Sequence, residues 1–143
     1  MTEAAVLESV REAEAYQSPY ERWKEAEGLP TLRGYHVQNL YTLPLTEWRS
    51  RGGSGVFVNL EGTGGFNDTY VYELGPKQSS EPIKHIYEET VFILKGQGAT
   101  TVWIDESKKQ TFEWRDRSYF AIPPNASHQF HNLSGNEPCA TSP

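Results

Sequence analysis

His85-Ile-Tyr-Glu-Glu89, followed by Thr90-Val-Phe-Ile-Leu-Lys95 and Gly96, leads to Pro123-Pro-Asn-Ala-Ser-His128-Gln-Phe-His-Asn132 after about one more strand pair. His85, Glu89 and His128 supply two imidazoles and a carboxylate. That is the donor set of a 2-His-1-carboxylate centre, which grips a divalent metal and leaves coordination positions open. Strand-like sequence flanks both segments, so the three ligands converge inside a sheet rather than along one helix face.

These segments resemble the two motifs of the cupin family. Glu89, the six residues after it and Gly96 match the second half of the first motif, and His85 stands where its second histidine belongs. Ile83 stands where the first histidine belongs, and Gly75 is the nearest counterpart of the glycine that opens the motif. Pro123, His128 and Asn132 match the second motif, with Arg117 and Asn125 in place of its glycines. Asn tolerates positive φ, so Asn125 is the milder departure. The resemblance covers residues 56–137. The wording Glu81-Pro-Ile-Lys-His85 onward, with Thr101-Val-Trp103 and Thr111-Phe-Glu-Trp114, is similar to the N-terminal cupin of two-cupin proteins with a helical lead.

The resemblance implies a mainly β fold, a cupin jelly-roll barrel with a short N-terminal helical extension. Residues 1–30 would be the extension and residues 31–143 the barrel. The chain of 143 residues is one domain in length, and 13% aromatic content suits a β core. Residues 2–16 have a helix-favouring composition. Ser18-Pro19-Tyr20-Glu21 reads as N-cap, first helical position and capping box of a second helix that stops at Gly28. Its face, with Tyr20 and Trp23, packs on the barrel or on a partner subunit. Residues 37–48, interrupted by Pro44, read as an edge strand or irregular arm. Strands are expected at 55–60, 69–74, 89–95, 99–104, 110–114, 119–122 and 128–132. The end, Glu137-Pro-Cys-Ala-Thr-Ser-Pro143, lacks the long apolar strand that closes a cupin sheet. An open edge of that kind, which recruits a partner strand, leads to the expectation of a truncated two-cupin protein or a homodimer.

A net charge of −6 without a Lys/Arg block argues against nucleic acid as a partner. No apolar run has membrane length, no signal peptide is recognisable, and Cys139 is the single cysteine, so a cytoplasmic protein without disulfides is expected. The sequons at Asn67, Asn125 and Asn132 are read as unglycosylated.

Tyr87, two residues past His85, is the candidate catalytic phenol. Trp103, Phe120 and Phe130 are candidates for a substrate pocket at the barrel mouth. His131 falls on the strand face opposite His128 and is read as exposed, Lys84 as solvated and His36 as structural. The glycine runs at 51–55 and 62–65 read as loops, since neither leads into a helix with Lys-Ser/Thr. The leading functional reading is a metal cupin, an Fe2+ dioxygenase of a small organic substrate, with Mn2+, Ni2+ or Zn2+ as other metals. The absent first histidine fits the oxygenase ligand count. It also fits the competing reading, a non-catalytic cupin that binds a small molecule or serves in assembly.

Overall fold

The structure, a computed structural model, describes residues 17–63 and 67–142. The helix expected over residues 2–16 lies outside the described residues. One α-helix, α1 (Pro19–Glu27), follows, and its ends carry the expected signals. Ser18 Oγ accepts from the Glu21 backbone N–H at 3.1 Å, Pro19 opens the helix, and Gly28 closes it at φ 73°.

Eleven strands follow among the described residues: β1 (Thr31–Gly34), β2 (Thr46–Glu47), β3 (Ser54–Leu60), β4 (Thr69–Leu74), β5 (Ile83–Lys84), β6 (Glu89–Lys95), β7 (Gln97–Trp103), β8 (Gln110–Arg115), β9 (Tyr119–Ile122), β10 (Ser127–Asn132) and β11 (Cys139–Ser142). They form a jelly roll of two sheets, ordered β1-β3-β4-β11-β6-β9, with β2 also on β3, and β5-β10-β7-β8. The core lies between the sheets. Phe57, Tyr70, Tyr72, Val91 and Ile93 of the first sheet meet Ile83, Trp114 and Phe130 of the second.

The larger sheet is buried on its outer side too. Val56, Val71, Leu94 and Ala140 are covered by Leu40, Leu43 and Leu45. These leucines belong to segment 37–48, an irregular arm that ends in the short strand β2 on β3. It contains a 3-10 turn (Leu40–Thr42), and Tyr41 anchors it by donating its hydroxyl to the Leu94 carbonyl at 2.9 Å. Burial on both faces explains why β3 reads as continuous apolar sequence without alternation.

The sheet is not missing its closing strand, as the sequence reading expected. β11 lies between β4 and β6 and pairs antiparallel with both, Cys139 opposite Leu74 and Thr141 opposite Ile93. The Tyr20–Trp23 face is likewise used within the chain: Trp23 packs edge-on against Phe57 at 5.8 Å. The open edge and the free helix face that suggested a homodimer are therefore both satisfied internally.

Arg117 and Asn125 have φ of 67° and 61°. The backbone demands a left-handed residue at both motif positions, although neither is glycine.

Candidate metal centre

β5 and β10 pair antiparallel, with Ile83 opposite His128 and Lys84 opposite Ser127. Directly paired residues share a face of the sheet. His128 thus points into the barrel beside Ile83. The chain leaves β5 at His85 and turns, and Glu89 opens β6. The Asn125 backbone N–H donates to the His85 carbonyl at 3.0 Å, so the loop preceding β10 clamps the one that carries His85. The ligand atoms of His85, Glu89 and His128 come within 4.8 Å of one another.

His128 is 0% exposed, and neither ring nitrogen has a hydrogen-bond partner among the described residues. The backbone of Ala126 lies near the ring without reaching hydrogen-bond geometry. Burial lowers the pKa of His128 to about 4, helped by His85 and Arg51 against the opposing pull of Glu89. A neutral imidazole with unpartnered nitrogens costs about 1–3 kcal/mol in a core. It is also the form that ligates a metal.

His85 Nδ1 lies 2.7 Å from the Tyr87 carbonyl, which can only accept, so Nδ1 carries a proton there and Nε2 faces inward. Nε2 meets Glu89 Oε2 at 3.0 Å, sharing a proton with it that a metal ion would displace. Burial alone would raise the Glu89 carboxyl, but hydrogen bonds from His85 and Tyr70 and the charge of Arg51 outweigh it and hold it low. An anionic carboxylate, an oriented imidazole and a buried neutral imidazole fit a divalent cation.

Behind Glu89 stands a buried polar chain. Tyr70 donates its hydroxyl to Glu89 Oε1 at 2.6 Å, and Arg51 Nη1 donates to Tyr70 at 2.8 Å. In front lies a cleft of about 630 Å³, between the start of α1 and the barrel mouth. Tyr20, Asp68, Tyr70, Tyr87 and Glu88 line it, with Glu89 at its wall.

The family model of the cupin domain matches residues 70–141, half of the chain. The chain belongs to the cupin family. No curated protein matches the sequence. Among solved structures, the cupin domain of Drosophila melanogaster CENP-C superposes with a TM-score of 0.59 at 12% identity, over 74% of this chain and 77% of that one. Vicilin from Capsicum annuum gives 0.57 at 18% identity, over 71% of this chain and 28% of that one. The Lactobacillus farciminis oxalate decarboxylase formate complex gives 0.57 at 21% identity, over 73% and 31%. At these identities the likeness concerns the fold, and this cupin spans about a third of the latter two chains. Among the described residues no helix is long and apolar enough to cross a membrane.

The structure brings His85, Glu89 and His128 of this cupin together and sets Tyr87 beside them, its ring stacked on His85 at 4.0 Å. It does not bring Trp103, Phe120 and Phe130 to the cleft. Trp103 pairs with Ser127, one residue out of step with His128, so it faces away from the barrel interior, bonded to Glu106 and covered by Lys109. Phe130 shares the face of His128 but is sealed in the core at 5.3 Å from that ring. Phe120 packs on Phe112 against the core.

His131 does lie on the other face of β10, but it is half-buried, bonded to Ser79 at 2.7 Å and to Thr101 at 3.0 Å. Lys84 is exposed as expected, and His36, for which the sequence suggests a structural role, is exposed too. The sequence reading missed Arg51, Tyr70, Tyr20 and Asp68. Arg51 had a signal in its position at the head of a glycine run, where the chain must fold back tightly.

Proposed function

We propose that this cupin is a mononuclear metal enzyme, an Fe2+ dioxygenase of a small organic molecule. The observation that carries the reading is the buried, neutral, unpartnered imidazole of His128 beside Glu89 and His85. Among divalent ions, Mn2+, Ni2+ and Zn2+ suit the same donors. When bound, Fe2+ would supply Lewis acidity and the electrons that O2 chemistry needs.

The chain's own groups do the rest. Glu89 brings the negative charge, and the Tyr87 carbonyl holds His85 in the tautomer that presents Nε2. Phe130 and Ile83 close the interior side against water, so substrate comes from the cleft. Tyr20 and Tyr87 offer phenols at the cleft, and Tyr87 is the group placed to give or take a proton there. Asp68 and Glu88 line the cleft, while Lys24 is tied to Asp68 at 2.7 Å and to Glu21 at 3.1 Å. A lining with carboxylates and with its neighbouring cation already paired favours a neutral or cationic substrate over an acid. A cytoplasmic setting suits the free, buried thiol of Cys139.

A second reading, a cupin that binds without catalysis, is favoured by the buried Ile83 in place of the first motif histidine. Anaerobic loading with Fe2+, then oxygen consumption with neutral, cationic and acidic small molecules, separates the two. Oxygen uptake coupled to loss of a neutral or cationic compound supports the enzyme. Metal uptake with no oxygen consumption in any arm supports the binding module.

A further inference from the structure

We infer that Arg51 and Tyr70 are a positioning pair for the metal centre, which fixes Glu89 as a one-oxygen ligand. This rests on the reading of His85, Glu89 and His128 as metal ligands.

The chemistry fixes the direction of the chain. A guanidinium only donates and a carboxylate only accepts, so the Tyr70 hydroxyl accepts from Arg51 at 2.8 Å and gives its single proton to Glu89 Oε1 at 2.6 Å. Oε1 is thereby engaged by the Tyr70 hydroxyl. Oε2 faces His85 Nε2 at 3.0 Å. A carboxylate free to rotate can present both oxygens to a cation and fill two of its positions. The Tyr70 tether occupies Oε1, so Glu89 would offer a cation Oε2 alone.

Arg51 is itself immobilised. Its guanidinium lies 4.3 Å from the centre of the Trp48 ring and 4.9 Å from that of Tyr70, with Trp23 of α1 at 5.8 Å. Its carbonyl accepts from the Glu81 backbone N–H at 2.7 Å, just before β5, the strand that leads to His85. One residue therefore reaches the segments of two ligands. Burying a cation only for packing is a poor use of it, since well-packed apolar side chains are often as stable. A cation set one hydroxyl away from an anionic metal ligand has a purpose at that ligand.

Co2+ titration of the wild type, Tyr70→Phe, Arg51→Met and the double variant tests the pair, read by affinity and by the visible Co2+ absorption, which reports coordination number. Tyr70→Phe should weaken Co2+ binding roughly 10- to 100-fold and change the absorption bands. Arg51→Met should weaken it less, and the double variant should be no worse than Tyr70→Phe, because Arg51 acts through the hydroxyl. Arg51→Lys, which keeps the charge, should recover most of the affinity. Should Tyr70→Phe fail to fold, Arg51→Met against Arg51→Lys still decides. Variants that melt earlier without metal yet keep wild-type affinity and absorption overturn the positioning role and leave the ligands standing. A wild type that takes up no Co2+ overturns the ligand assignment and this inference with it.

Discussion

Ile83 and His128 face each other across the β5–β10 ladder, both turned into the barrel. The position that the first cupin motif gives to a histidine is thus adjacent to the candidate metal centre, filled by an apolar side chain. The three-ligand count follows from this one substitution.

Ile83→His should therefore add a fourth donor, since directly opposed Cβ atoms lie only about 5 Å apart. The expected outcome is tighter Co2+ binding and an absorption spectrum shifted toward higher coordination number. An unchanged spectrum in a folded variant would place Ile83 outside reach of the ion.

Metal-free protein should lose stability in acid over a defined window. His128 has its pKa lowered from 6.5 to about 4, so the unfolded chain binds the proton more readily. Stability is complete above about pH 6.5 and falls as pH drops toward 4, by at most about 3 kcal/mol. Glu89, held low, adds a further loss at more acidic pH, as its carboxylate protonates. Urea unfolding across pH 4–7 checks this, and His128→Phe should flatten the upper limb. A wild type with no slope there contradicts the burial argument.

Tyr87→Phe should leave metal affinity unchanged, because His85 is held by the Tyr87 carbonyl and the phenol plays no part in that bond. Calorimetric titration reads this directly. A tenfold loss would make the phenol part of the ligand set.

Arg117→Gly should stabilise the fold by about 1 kcal/mol at most, relieving a left-handed residue and keeping the backbone bond from Arg117 to Ile93. Thermal melts measure it. A destabilised variant would mean that the Arg117 side chain contributes more than its backbone strain costs.

What could be read from the sequence follows the range of each signal. The caps of α1 are local, and Ser18, Pro19 and Gly28 all occupy the positions their chemistry predicts. Glu89 and His128 were legible because a glycine, a proline and an asparagine frame them at fixed spacing. β11 was not legible: Cys139-Ala-Thr-Ser142 is short and only half apolar, and its place comes from the two strands that flank it. Trp103 was misplaced for want of a register, since one residue's step turns a strand side chain to the other face. Arg51 and Tyr70 escaped because their bonds to each other and to Glu89 each span 19 residues, and no local pattern records such a contact.

His85, Glu89 and His128 are proposed to hold one divalent ion between them. Metal analysis of the purified chain after anaerobic loading with Fe2+, beside His128→Ala and Glu89→Ala, tests this most directly. The wild-type chain should take up one ion and either variant almost none. Full occupancy in both variants, or none in the wild type, would contradict it.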